Sequence, residues 1–292
     1  WGNQDYVINW ENDGAELWNF RPRSVIRNPD YYFKPAISWS RLSSGDIGFR
    51  FSLCGFIEND KSPFIVSESS NRLLLSLLNS STSNHLMAIL APTIMFEIGQ
   101  LSELPLLQSR DTNHSPTPGS VAASRLIHLF RYDWNAYETS WGFEGSPLVQ
   151  YARSKGSLAD ALEHWWQNSL SAACEAQKLE TENNRYWAEV YGLQDEVPIE
   201  VPSSRVSLTS NPYFRYAPNK GAIRTDVEYR RLFTADAIRD LISYGVGCLF
   251  GRYSLDKPGL ILADHGTTVQ DYLVKVPQPT FMPGKDNVLP IV

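Results

Sequence analysis

The residues with the most suggestive chemistry in this 292-residue sequence are Asn211-Pro212-Tyr213-Phe214. An Asn side chain in a proline-containing loop can hold the amino group of an extruded base while an adjacent aromatic ring stacks on that base. A loop that holds an extruded base in this way has two prolines after the Asn, whereas this chain has only Pro212. No Gly-rich turn that could bind a nucleotide-like cofactor stands upstream. The sequence therefore favours an ordinary Asn-Pro turn at this position.

Other residues that could support catalysis or metal binding stand alone, without the partners that a recognised motif requires. The sequence has no nucleophile elbow, phosphate-binding loop, paired-His zinc motif or dinucleotide fingerprint. Asp264-His265-Gly266 has the composition of a turn, and the cysteines Cys54, Cys174 and Cys248 are too scattered for a disulfide framework or a metal cage. We therefore predict no catalytic residue and no metal site in this chain.

Basic residues are concentrated in residues 21–50, where six of them and two acidic residues give a local net charge of +4. The whole chain has a net charge of -6 and a pI near 5.4, which argues against an affinity for nucleic acid. A local basic patch either attracts an anionic partner or is a solvated surface, and the sequence alone leaves both possibilities open. The charged residues of the patch are Arg21, Arg23, Arg27, Lys34, Arg41 and Arg50, with Asp30 and Asp46.

The basic patch coincides with a predicted platform of short strands. Ile37 and Trp39 alternate with Ser38 and Ser40 in the two-residue period of a half-buried strand. Residues 47–51 and 64–66 predict a second and a third strand. An apolar helical period then extends from Leu73 to Leu90 and stops at Pro92, and residues 93–107 close the unit.

The clearest helix in the sequence begins after Ser157, whose side chain can cap it, and ends at Gly192. A helix of this length measures about 50 Å, which is long for an element of an ordinary globular domain. It is either a spacer or an intramolecular core helix. By contrast, residues 108–120 combine polar residues with helix breakers and predict a loop or linker.

Two aromatic or glycine-rich stretches have open roles. Trp10, Trp18 and Phe20 can stack on bases, although residues of this type at this spacing more often belong to a core. Residues 244–262 alternate glycine with apolar residues and predict a buried structural segment. The alternative to a purely structural role is that Arg252 and Tyr253 in that segment contact DNA phosphate.

Several of these stretches resemble a known family. The order "FKPAISWSRLSSGDIGFRF", "SPFIV", "LLSLLNS" and "LAPTIMFEIGQLSELPL" is similar to the target recognition domain of DNA adenine methyltransferases that carry their own specificity region. Recognition domains of type I specificity subunits and of type IIG restriction enzymes are related in kind. Four further stretches, at residues 134–145, 184–196, 242–262 and 281–291, resemble signature stretches of the PglX methyltransferases of BREX phage-exclusion systems.

The resemblance implies an α+β, non-catalytic segment of an adenine-specific DNA methyltransferase. It implies a target recognition domain at residues 1–107, a connector at 108–150, a long spacer helix at 151–192 and a C-terminal methyltransferase-associated segment at 193–292. The partner would be double-stranded DNA, with other phage-defence proteins as further partners. S-adenosylmethionine would serve the intact enzyme and bind outside this segment.

With a DNA partner, the basic patch gains a specific interpretation. We predict DNA contacts by Lys34, Ser38, Ser40, Arg41 and Arg50 on the strands and turns, and phosphate contacts by Arg21 and Arg23. Arginine favours guanine in the major groove, and each lost bidentate contact costs about 1–3 kcal/mol. These assignments depend on the position of the patch.

Two other functions remain open from the sequence. One is the specificity region of a type IIG restriction-modification enzyme, which a nuclease motif before Trp1 would indicate. The other is a protein-interaction scaffold for phage defence, which the acidic pI favours. No apolar run reaches the length of about 18 residues that a membrane-spanning helix requires, so we expect a cytoplasmic protein without membrane contact. Because the chain begins at Trp1 instead of Met, we expect an excerpt of a longer polypeptide.

Overall fold

The computed structural model describes residues 1–2, 4, 6–66, 71–107, 116–218 and 222–284. The first residues of the predicted connector, 108–115, and the end of the predicted C-terminal segment, 285–292, lie outside the described residues. The architecture is α+β, as predicted: a three-stranded antiparallel sheet is combined with helices. The chain divides into two compact units. Unit 1 contains Trp1–His128 and Lys178–Val201, and unit 2 contains Leu129–Gln177 and Pro202–Val292.

Unit 1 is built around the sheet, and its strands lie close to where the sequence predicts them. The strand order is β2-β1-β3, with both neighbours antiparallel to β1. Helices α2, α3 and α4 follow the strands along the chain. The bounds are α1 Glu11–Asn19, β1 Ala36–Trp39, β2 Phe49–Ser52, β3 Phe64–Val66, α2 Asn71–Leu78, α3 Ser81–Leu90 and α4 Ile98–Ser102.

One face of this sheet forms the core of unit 1. Ile37 and Trp39 alternate along β1 toward that core, where Phe49, Leu78 and Met87 are also buried. The two-residue period of a strand explains why the intervening residues face the other way. The alternation predicted from the sequence therefore determines which face of β1 is apolar.

The predicted helical region at residues 73–90 is interrupted, so its prediction as one continuous run was wrong. Ser80 ends the first helix and caps the second, because its Oγ accepts a hydrogen bond from the Ser83 backbone N–H at 3.1 Å. The side chain of Asn79 bonds to the backbone of β2: it accepts a hydrogen bond from the Phe49 N–H and donates one to the Phe49 carbonyl, each at 3.0 Å. This amide pairs with the edge of β2 as another strand would.

Two helices run through both units. Helix α5, Pro118–Asn135, begins in a stretch that the sequence analysis assigned to a loop, and that assignment was wrong for residues 118–120. Proline is tolerated in the first turn of a helix, since its nitrogen needs no partner there. Helix α7, Leu158–Tyr191, confirms the predicted long helix at both ends. Ser157 caps it by accepting from the Asp160 N–H at 3.1 Å, and Gly192 ends it with a positive φ of 70°.

Helix α7 contributes to the core of each unit. In unit 2 its residues Ala161, Trp165 and Trp166 are buried against Phe233 of α9. In unit 1, Trp187 is buried and its indole N–H donates to Ser76 Oγ at 3.0 Å. The other helices of unit 2 are α6 Pro147–Lys155, α8 Pro212–Arg215, α9 Asp226–Leu249 and α10 Val269–Lys275, and short 3-10 turns occur at Pro29–Tyr31 and Ser203–Arg205.

Candidate nucleic-acid interface

The face of the sheet opposite the core carries Arg50. Its neighbour on β1 is Ser38, which pairs with Phe64 on the other side. Ser38 is 4% exposed, so its hydroxyl does not reach the surface in this conformation, whereas Arg50 is partly exposed. Trp1 lies near Arg50. Of the predicted contacts on this face, Arg50 is the accessible cation.

Arg41 is held by an acidic partner that the sequence analysis did not identify. Its Nε and Nη2 both donate to Glu97 Oε1, at 2.8 and 2.6 Å. The backbone supports this pairing, since the Phe96 N–H donates to the Arg41 carbonyl at 2.8 Å. Charge-assisted bonds of this geometry hold a guanidinium in place. Arg41 therefore connects the end of β1 to the start of α4, and Ser40 beside it is half-buried.

The predicted phosphate contacts Arg21 and Arg23 are exposed, and so is Lys34. Each of these cations lies over an aromatic ring. The distance from the cation to the ring centroid is 5.1 Å for Arg21 over Trp18, 5.7 Å for Arg23 over Phe20 and 5.5 Å for Lys34 over Tyr31. Distances below about 6 Å are attractive and orient the side chain.

The aromatic partners of these cations are the functional candidates that the sequence analysis assigned differently. Trp18 is 39% exposed, Phe20 55% and Tyr31 51%, so the interpretation of Trp18 and Phe20 as core residues was wrong. The core interpretation suits Trp10 better, because its ring packs edge-on against Tyr32 and Phe33, with ring centroids 5.2 and 5.8 Å apart. A sequence signal was present: five aromatic and four basic residues are concentrated between residues 18 and 34.

The Asn211 loop has a structural role, as the sequence analysis favoured. Asn211 is fully buried at the start of α8. Its amide nitrogen donates to the carbonyls of Ser203 and Val206, both at 2.8 Å, and its Oδ1 accepts from the Tyr213 N–H at 3.1 Å. Every polar atom of the side chain is therefore used within the fold.

The residues of 244–262 also pack internally, in agreement with the favoured structural interpretation. Tyr253 and Tyr244 stack at 5.4 Å, and Phe143 packs edge-on against both rings. Gly247 lies against Tyr253 so closely that a Cβ at this position would be 2.5 Å from the ring. Tyr253 is therefore a packing residue, whereas Arg252 is exposed.

The strongest polar cluster of unit 2 is likewise internal. Asp133 is buried, which raises its pKa, and its carboxylate accepts from the backbone N–H groups of Thr209 and Ser210. Arg215 lies over the rings of Tyr137 and Tyr216 and bonds to Asp236 at 3.1 Å. Among the described residues no cluster of three or more His, Cys, Asp or Glu is arranged to hold a metal ion. No helix in the described part of the chain is long and apolar enough to cross a membrane.

The comparisons with known proteins identify relatives of the whole chain. No family model matches it. It is 32% identical over 300 residues to the adenine-specific methyltransferase PglX of Lacticaseibacillus casei (strain Zhang), which covers 99% of this chain and 22% of the relative. It is 29% identical over 296 residues to the adenine-specific methyltransferase BrxX of Escherichia coli O9:H4 (strain HS), covering 100% of this chain and 23% of the relative.

The chain thus spans less than a quarter of the length of these curated relatives. Both relatives are named adenine-specific methyltransferases, and this chain is homologous along its whole length to a segment of each. The family resemblance predicted from the sequence is confirmed.

Proposed function

We propose that this chain is the DNA sequence-recognition segment of an adenine-specific, S-adenosylmethionine-dependent DNA methyltransferase of a BREX phage-defence system. The observation that carries the proposal is its end-to-end similarity to two proteins that are named adenine-specific methyltransferases. The segment would bind double-stranded DNA and position one adenine for a catalytic domain elsewhere in the polypeptide. A cytoplasmic location and contacts with other phage-defence proteins belong to the same proposal.

Within the segment, we assign recognition to residues 1–107. The cations that support this assignment are Arg21, Arg23 and Lys34, which are exposed over aromatic rings, and Arg50, which is partly exposed on the sheet. We place Arg41 second, because Glu97 already neutralises it, and Ser38 last, because it is buried. Residues 108–150 and 193–292 keep their proposed roles as connector and methyltransferase-associated segment. Within 151–192 the proposed spacer is α7, which also packs into the core of each unit.

The proposal places S-adenosylmethionine outside this segment. Asn211 likewise offers nothing to a target amine, because backbone hydrogen bonds use its amide group. The methyl transfer itself, from the cofactor to the exocyclic amine of an extruded adenine, would belong to the intact enzyme.

The test is binding of the 292-residue chain to double-stranded DNA across a salt series. Lys34→Ala removes an exposed cation and Arg50→Ala a partly exposed one, and Lys257→Ala, at an exposed lysine of unit 2, is the matched control. We expect affinity that falls with salt, and a shallower salt dependence for the first two variants, because each phosphate contact releases counterions. Binding that is undetectable even at low salt would contradict the proposal and favour the protein-interaction scaffold.

A further inference from the structure

Three aromatic rings of the segment of residues 18–34 are exposed to solvent. Trp18, Phe20 and Tyr31 are each between about two-fifths and just over half exposed, and each has a cation over its ring. Large apolar rings gain free energy when they are covered, so an exposed group of them indicates a binding surface. We call these three rings with Arg21, Arg23 and Lys34 the aromatic–cation surface.

The elements that carry this surface are fixed by packing. Trp10 lies at the start of α1 and contacts both Tyr32 and Phe33, which joins α1 to the turn that holds Tyr31 and Lys34. Gly14, with a φ of +74°, allows the Trp10 ring to approach, since a Cβ there would lie 3.1 Å from the ring. The Arg27 backbone N–H donates to the Tyr32 hydroxyl at 3.3 Å. The turn that carries Tyr31 and Lys34 is therefore held against the start of α1.

The chemistry of the surface matches a strand with accessible bases. Exposed aromatic side chains stack on the flat faces of bases, while neighbouring Arg and Lys attract the phosphates. In a paired duplex the faces of the bases are hidden by stacking, so rings can reach them only where bases are unpaired. The charge balance is favourable here, because Asp30 is the sole acidic residue between residues 18 and 34. Glu16, nearby in α1, is bonded to the Asn9 amide at 2.9 Å.

We propose that the aromatic–cation surface binds unpaired bases, so that the segment prefers DNA containing an unpaired stretch over the same DNA fully paired. This inference rests on the proposed function and deepens it. Duplex recognition by the cations beside the sheet would fix the position of the segment. The rings would then hold bases that have left the stack.

The experiment compares two probes with the 292-residue chain: a short duplex, and the same duplex with a central stretch of unpaired thymines. The variants are Trp18→Ala and Phe20→Ala. Trp141→Ala is the control, because Trp141 is 68% exposed in unit 2. Thermal unfolding of each variant checks that the fold is retained.

We expect the wild-type chain to bind the unpaired probe more tightly. Stacking contributes about 1–3 kcal/mol per base, so Trp18→Ala should weaken binding of that probe about 5- to 150-fold and leave the paired probe nearly unchanged. Trp141→Ala should change neither affinity.

The outcomes separate this inference from the proposed function. Equal affinity of the wild-type chain for both probes, with salt-sensitive duplex binding, would overturn the inference and leave the proposed function standing. A preference for the unpaired probe that survives both substitutions would also overturn it, since the rings would then be available for another partner such as a protein. Binding to neither probe would overturn both proposals.

Discussion

At the scale of single residues, Arg41 is a cation of the basic patch whose side chain is engaged in an ion pair within the fold. Both of its bonds go to the same oxygen of Glu97, and about a third of its side chain is exposed. Arg50, nine residues later in the sequence, has no such carboxylate partner among the contacts described above. Two arginines that are equivalent in the sequence thus have different availability for DNA.

We expect Arg41→Ala to lower the free energy of unfolding by about 0.5–1.5 kcal/mol, because a partly exposed ion pair with charge-assisted hydrogen bonds contributes in this range. Urea unfolding of Arg41→Ala, Glu97→Ala and the double variant measures the coupling between the two side chains. If Arg41→Ala instead leaves stability unchanged and weakens DNA binding more than Arg50→Ala does, Arg41 is a DNA contact and its assignment to the fold is wrong.

Glu180 makes stability depend on pH. This half-buried residue lies in α7, and burial raises the pKa of its carboxyl group from 4.5 to about 7. The folded state therefore holds a proton between these values that the unfolded state has lost. Stability is accordingly highest below about pH 4.5 for this group and decreases as the pH rises to about 7.

Replacing Glu180 with Gln removes that titration. At pH 8 we expect Glu180→Gln to raise the free energy of unfolding by about 1–3 kcal/mol, with no gain near pH 4. Denaturant unfolding across the pH range provides the measurement, and Glu189→Gln, an exposed residue of the same helix, is the control. A gain that is independent of pH would show that burial of the charge is not its cause.

At the scale of elements, α7 matters most, because its two halves enter two different cores. The half in unit 1 is fixed by polar groups as well as by Trp187. Asn184 accepts from the Ser81 N–H at 2.9 Å and donates to the Ile199 carbonyl at 3.1 Å, and Asn183 donates to the Ser76 carbonyl at 2.8 Å. Directional bonds of this kind fix the rotation of the helix against α2 and α3.

We expect Trp187→Ala to cost about 3–5 kcal/mol of stability, because it empties a large buried site and leaves Ser76 without its indole donor. Trp141→Ala, which removes a mostly exposed indole, should cost far less. Thermal or denaturant unfolding distinguishes the two variants. Similar losses for both would mean that the indole of Trp187 is not a main support of the unit 1 core.

At the scale of the whole molecule, the negative charge is distributed unevenly. The residues of unit 1 include 12 Lys or Arg and 18 Asp or Glu, whereas those of unit 2 include 14 of each. The entire excess of -6 therefore belongs to unit 1, which also contains the basic patch. A net negative charge on the unit opposes its association with phosphates.

This charge distribution predicts a modest salt dependence. With Arg21, Arg23, Lys34 and Arg50 as the phosphate contacts, log K should fall against log salt with a slope of about -3 to -4. Fluorescence anisotropy with a duplex probe measures it. A slope about twice as steep would require further cations, with Arg252 among the candidates, and would show that the binding surface is larger than proposed.

The sequence predicted local structure well wherever a periodic pattern was long or strongly bounded. Strand β3 and helix α7 were found within one residue of their predicted ends, since capping and breaking residues stand at the ends of α7. Helix α5 was missed because polar residues and Pro118 at its start suggested a loop. The division between α2 and α3 was missed because Leu residues continue the helical period across Asn79 and Ser80.

The sequence by itself determined the α+β class, the apolar face of the sheet, the long helix and the family resemblance, because periodicity, caps and motifs are properties of neighbouring residues. Only the tertiary structure decided which candidate side chains remain available. Arg41 and Glu97 are 56 residues apart in the sequence, and the bonds of Asn211 depend on a loop that folds back over it. Burial and pairing arise from contacts between distant segments, so the exposure of Trp18 and Phe20 and the burial of Ser38 followed from folding alone.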